Sequence, residues 1–156
     1  MGIARPIPVI SELASADALL LDASTLVELV VEGRHAGASE RLLSHLEAHP
    51  QVEVVSAAHG LIEAASAVRR LNLRGDLADE PASNAIDWLR DLDLRLDPTA
   101  VRLTALWGHR HSMTAYDAAY AAAAVGLGLP LISVDRPLLT ACEVAGVPAI
   151  HLDEAF

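Results

Sequence analysis

Asp22, Asp117 and Asp135, with Glu63 between the first two in the chain, are the residues best suited to chemistry. Each aspartate borders an apolar stretch: Leu19-Leu20-Leu21 runs into Asp22, Ala118 to Val125 follows Asp117, and Leu131 to Val134 runs into Asp135. An ionised carboxylate at the edge of a dry core is costly unless a cation or hydrogen-bond donors meet it. Three or four carboxylates gathered in one cleft repel each other, and their hard oxygens suit magnesium or manganese. One or two such ions activate water and stabilise the oxygens of an in-line phosphoryl displacement. Phosphodiester hydrolysis is the reaction class that this set of residues points to.

Each acid also has a plainer reading. Asp22 precedes a capped helix, Asp117 follows Thr114 at capping-box spacing, and Asp135 before Arg136-Pro137 suits an N-cap. Glu63 shares a polar stripe with His59, Ser66 and Arg70, and periodicity alone makes it a solvated residue. Spacing along the chain does not show that the four meet.

The elements that must bring them together alternate. Leu19 to Leu21 reads as a strand, and Thr25-Leu26-Val27-Glu28 matches a capping box opening a helix. Helices are expected over Ala38 to Ala48, after a cap at Ser56, over Ser83 to Leu92, over Val101 to Trp107 and after Thr114, where the run is apolar on every side. Strands are expected at Val52 to Val55, Leu94 to Leu96, Leu131 to Val134 and within Val147 to Leu152. Such alternation means a parallel sheet covered on both faces, with any site beyond the carboxyl ends of its strands. Asp22 and Asp135 end two strands and Asp117 starts a helix, so the three are placed to converge.

A chain of 156 residues without a dividing linker is one domain. Its single cysteine, Cys142, lies among apolar neighbours, which fits a core thiol in a reduced, cytoplasmic compartment and not a thiolate metal site. The start lacks the long apolar core of a secretory signal, and the uncharged run Ala118 to Val134, broken by Pro130, reads as protein core and not as a membrane span. All 11 basic residues are arginine, which excludes P-loop, Schiff-base and other lysine-dependent chemistry. The net charge of −10 opposes nucleic-acid binding on average, yet arginines gather at Arg69-Arg70 and beside His109-Arg110-His111.

Asp22-Ala23-Ser24 after an apolar strand, Glu63 on a helix continuing to Arg69-Arg70, Thr114-Ala115-Tyr116-Asp117-Ala118-Ala119-Tyr120, and Ser133-Val134-Asp135-Arg136-Pro137-Leu138 together resemble PIN-domain proteins. More narrowly, the chain is similar to the VapC-type ribonuclease toxins of bacterial toxin–antitoxin pairs, from about Leu19 to Leu152. The resemblance implies a single PIN-like α/β domain over 19–156, with a central parallel sheet of four to five strands and helices on both faces; the residues before it, 1–18, are read from the sequence as a flexible N-terminal arm. The resemblance also implies a magnesium-dependent endoribonuclease, manganese serving as a substitute. Asp22, Glu63, Asp117 and Asp135 are then the catalytic, metal-holding acids, and Ser24, Thr114 and Ser133 the supporting hydroxyls. Arg69, Arg70, Arg110 and Arg136 are the candidate RNA phosphate contacts. Homodimers and an antitoxin that blocks the site with its tail are the expected partners, with no membrane.

The chain departs from that family in the residues before the first strand. No Gly-x-Ser-x-Gly elbow is present, no second aspartate follows Asp22 two residues on, and no glycine-rich turn follows the first strand. Serine hydrolases, haloacid-dehalogenase-type phosphatases and dinucleotide-binding proteins are therefore disfavoured. The rival that stays open is a PIN-like module that binds RNA or protein without cutting.

Overall fold

Leu19, Leu20 and Leu21 are all fully buried, although neighbouring side chains on a strand point to opposite faces. Both faces of the sheet must therefore be covered. The computed structural model, which describes Leu13 and residues 15–156, shows how. Strand β1 (Ala18–Leu21) leads into α1 (Ala23–Val30) and α2 (Ala36–Ala48), then β2 (Glu53–Ala57), α3 (Gly60–Leu73) and α4 (Asp79–Asp91). Next come β3 (Leu94–Asp97), a 3₁₀ turn (Thr99–Arg102), α5 (Leu103–Gly108), α6 (Ala115–Leu127), β4 (Leu131–Ser133), α7 (Arg136–Ala145), β5 (Ala149–His151) and α8 (Leu152–Ala155). Most of the arm expected over 1–18 lies outside the described residues; Leu13 packs into the core.

The sheet has five strands in the order β3-β2-β1-β4-β5, every neighbouring pair parallel. Leu19, Leu21, Val54 and Ile132 pack on one face with Leu26, Leu42, Val68 and Leu89 of the first four helices. Leu20, Val55 and Leu131 pack on the other with the alanines of α6 and with Leu138 and Cys142 of α7. Helix α6 is buried from Ala118 through Ala124, six alanines and Tyr120 with no charged residue among them, while Val125 turns out to solvent. It ends at Gly128, whose φ of 68° is the left-handed geometry a C-terminal glycine supplies.

Two local expectations are corrected. Ser56 belongs to β2 and caps no helix, because its hydroxyl donates to the Leu21 carbonyl at 2.7 Å and ties β2 to β1. The capping box at Thr25 to Glu28 does not form. Asp22 is the N-cap of α1, Thr25 donates its hydroxyl to the Ile132 carbonyl at 2.9 Å, and the Glu28 carboxylate accepts from the His35 main-chain N–H at 3.3 Å.

Gly60 is required where α3 passes over β2. A Cβ there would collide with the Ser56 hydroxyl and stand 3.1 Å from the Ser56 Cβ, and Ser56 is held in place by its bond to Leu21. Gly60→Ala is expected to destabilise the protein by about 1–3 kcal/mol, the usual range for overpacking, as read from urea unfolding.

Candidate acidic active site

The chain runs from β1 out to β3 on one side, then returns to β4 on the other side of β1. Between β1 and β4 the crossover connections leave in opposite directions, and a crevice opens beyond the strand ends at such a point. Asp22 follows β1 directly and Asp135 stands two residues beyond Ser133, the last residue of β4. Both are N-caps. Asp22 accepts from the Thr25 N–H at 2.9 Å and Asp135 from the Leu138 N–H at 3.2 Å. The capping reading and the site reading are thus compatible, since both N-cap aspartates also line the crevice.

Asp22 is only 3% exposed and is fixed from several sides. Ser24 donates to its carboxylate at 2.8 Å and Ser133 at 2.7 Å, while Ser133 in turn accepts the Asp135 N–H at 2.9 Å. Burial pushes the Asp22 carboxyl above its ordinary pKa, and the bonds from Ser133, Thr25 and Ser24 pull against that without cancelling it. Asp117 sits in the first turn of α6, its N–H donating to the Thr114 hydroxyl at 3.1 Å.

Glu63 lies in the first turn of α3 and lines the crevice, its side chain still 38% exposed. It accepts the Tyr120 hydroxyl at 2.8 Å and stands 3.3 Å from His59 Nε2. Tyr120 also accepts the Ala23 N–H at 3.2 Å, so one buried phenol links α3, α6 and the start of α1. Burial, and then the Glu63 charge, raise the Tyr120 pKa well beyond the usual tyrosine range, so the phenol keeps its proton and stays a donor.

Asp22, Glu63, Asp117 and Asp135 line a single cleft of about 300 Å³, together with Ser24, Glu28, Tyr120 and Arg70. It takes in the first turns of α1, α3, α6 and α7, where helix dipoles favour negative groups. A larger hollow of about 480 Å³ between α3 and α4 is lined by Arg69, Asn72, Asp79 and Asp87 and contains none of the four acids.

The remaining sequence candidates are distributed more widely. Ser24 and Ser133 hold Asp22, whereas Thr114 spends its hydroxyl on the cap of α6. Arg70 reaches the acidic cleft, and Arg69, one residue earlier, belongs to the other hollow. Arg110 lies over the Trp107 ring at 5.3 Å, and Arg136 is the exposed first residue of α7. Tyr120 and Glu28 also line the cleft, although the sequence offers Tyr120 only as part of a motif and Glu28 only as a capping-box acid. Tyr120 stands one helical turn from Asp117 and so shares its face, a signal present in the chain, whereas its bond to a glutamate 57 residues away is not.

Among the described residues none of Asp22, Asp117 and Asp135 is ion-paired. Unpaired carboxylates around one cleft, one of them nearly without water, are a donor set that fits a hard divalent cation.

Fold and cleft together define a parallel α/β domain with an acidic site at its switch point. Residues 19–156 match the PIN domain family. Ribonuclease VapC1 of Mycobacterium tuberculosis, in strains CDC 1551 / Oshkosh and H37Rv alike, is 34% identical over 135 residues, covering 82% of this chain and 96% of the relative. The crystal structure of PAE2754 from Pyrobaculum aerophilum superposes with a TM-score of 0.61 at 25% identity, over 87% of this chain and 92% of that one. The chain belongs to the PIN-domain family, and within it to the VapC type.

Proposed function

We propose that this protein is a magnesium-dependent endoribonuclease, the toxin of a toxin–antitoxin pair, acting in the cytoplasm as a homodimer, with residues 19–156 as its PIN-like domain. The observation that carries this reading is the convergence of Asp22, Glu63, Asp117 and Asp135 on one cleft. The name of the mycobacterial relative, a ribonuclease, supports RNA as the substrate class. Among the described residues no helix is long and apolar enough to cross a membrane.

In this reading Asp22, Asp117 and Asp135 hold the ion, with Glu63 beside them, and manganese can replace magnesium. A bound divalent ion supplies the positive charge that eases deprotonation of a water and offsets charge growing on the phosphate oxygens. The chain supplies the rest. Ser24 and Ser133 fix the orientation of Asp22, so that its carboxylate need not reorganise as the reaction proceeds. Tyr120 fixes Glu63 in the same way. Arg70 contributes the cationic contact for the RNA backbone from within the cleft. An antitoxin tail would enter the same cleft, where the carboxylates recommend an arginine at its tip.

The test is cleavage of a mixed RNA substrate with magnesium, with a chelator, and with magnesium restored. Cleavage should vanish with the chelator and return with the ion. Cleavage indifferent to the chelator rejects the metal mechanism, and binding without cleavage under any ion condition promotes the non-catalytic module in its place. Tyr120→Phe is expected to reduce the rate about 10- to 100-fold, the usual effect of losing a group that orients a metal ligand. An unchanged circular dichroism spectrum would show that the fold survives the change.

A further inference from the structure

His35, His151 and Asp153 form a second cluster of ligand groups, close to the acidic cleft and chemically unlike it. His151 closes β5, and its register partner across the strand pair is Ser133, the serine that holds Asp22. His35 stands at the N-cap of α2, with its main-chain N–H on Glu28, a lining residue of the cleft. Asp153 lies in the short helix α8.

His35 Nδ1 is 2.8 Å from Asp153 Oδ2, and His151 Nδ1 is 3.6 Å from the same oxygen. One ligand atom from each residue lies within 4.8 Å of the others. A tetrahedral ion with bonds of about 2.0–2.1 Å sets its ligand atoms about 3.3 Å apart, between the two shorter separations. Small rotations of Asp153, about half exposed, and His35 would complete the site.

His151 is suited to be the fixed member. It is 5% exposed, and its Nδ1 accepts the Asp153 N–H at 3.2 Å, so that nitrogen already presents the lone pair a metal needs. An ion would take the place of this long bond. Among the described residues the other ring nitrogen, Nε2, has no hydrogen-bond partner.

Ligand chemistry separates this cluster from the cleft. Two imidazoles and one carboxylate suit zinc and its neighbours among the transition metals, whereas an all-carboxylate set suits magnesium or manganese. We propose that His35, His151 and Asp153 bind one zinc-class divalent ion, with water in the fourth position, which staples the end of the chain to the α1–α2 connection. The two sites take different ions from the same solution. This proposal stands whether or not the cleft cleaves RNA.

The experiment titrates metal-free protein with zinc against a chromophoric chelator and follows thermal unfolding with zinc and with magnesium. His35→Ala and Asp153→Asn are the informative variants, because both side chains reach the surface and neither belongs to the core; circular dichroism checks their fold. One equivalent of zinc should bind at micromolar concentration and raise the Tm, and magnesium should not compete for it. Both variants should lose zinc affinity by more than the roughly 10- to 100-fold that loss of a supporting group costs, along with the zinc-dependent rise in Tm. An Asp22→Asn/Asp117→Asn chain should keep both. Zinc binding of equal strength in His35→Ala, binding abolished by the acidic-cleft substitutions, or no binding to the parent chain would each overturn the proposal.

Discussion

Asp22→Asn is expected to leave a folded protein that melts at a higher temperature and no longer cleaves RNA. The two effects have one cause. Asp22 is 3% exposed and, among the described residues, has no cationic partner, so its charge is met only by hydrogen-bond donors. Burial raises its pKa in the folded protein. An acid whose folded-state pKa is raised resists ionisation more when folded than when unfolded, so at neutral pH its charge opposes folding, and acidification through the raised pKa relieves that cost.

Asparagine keeps an oxygen for the Thr25 N–H while removing the charge. A gain of roughly 1 kcal/mol would move the Tm by about 2–4 °C in a domain of this size. Cleavage should fall by at least the 10²- to 10³-fold, in order of magnitude, that follows removal of one preorganised electrostatic group. Magnesium gives a further contrast. An ion that binds only the folded state stabilises it by mass action, so magnesium should raise the Tm of the parent chain and do so much less in Asp22→Asn. Scanning calorimetry with and without magnesium, beside an RNA cleavage assay, reads all three effects. A lower Tm in the variant would mean that the serine-held carboxylate supports the fold, and retained cleavage would remove Asp22 from the mechanism.

The legible part of this molecule is the part written in contiguous residues. Leu19 to Leu21 and Leu131 to Val134 are uncharged runs bounded by aspartate, and they fold as neighbouring central strands because only a doubly covered parallel sheet buries such runs on both sides. The alanines after Asp117 declared a buried helix for the same reason. Pairings made across the chain were not legible. Glu63 reads as solvated on its own helix, and it is the facing Tyr120 that turns its surroundings into a site. Ser56 carries the composition of a cap, but the carbonyl of Leu21 on the next strand claims its hydroxyl. Thr25 and Glu28 have capping-box spacing, yet Asp22 takes the cap and Glu28 turns to His35. Arg69 and Arg70 look alike in sequence, and one step of about 100° around α3 sends them to different hollows.

The largest effect on stability is expected from Arg102→Leu. Asp97, the last residue of β3, is 3% exposed and receives both Nε and Nη2 of Arg102, at 2.9 and 3.0 Å. The guanidinium lies against α6 at Gly126, where any Cβ would collide with it. Arg102 is thus held between the sheet edge and the helix that presents Asp117 at its other end. Removing the cation leaves a buried carboxylate without compensation, which costs about 3–5 kcal/mol in buried pairs. The lower figure applies here, because the Arg102 side chain is 19% exposed and water can reach part of the gap. About 3 kcal/mol corresponds to a Tm lower by roughly 6–12 °C. Adding Asp97→Asn to Arg102→Leu should recover much of the loss, since the double variant no longer carries the unpaired charge, and the coupling between the two sites follows from the complete cycle of variants. Gly126→Ala should shift stability in the same direction by displacing the guanidinium. If urea unfolding finds Arg102→Leu less than about 1 kcal/mol below the parent chain, water has followed the arginine out, and packing along α6 rather than this ion pair secures the helix against the sheet edge.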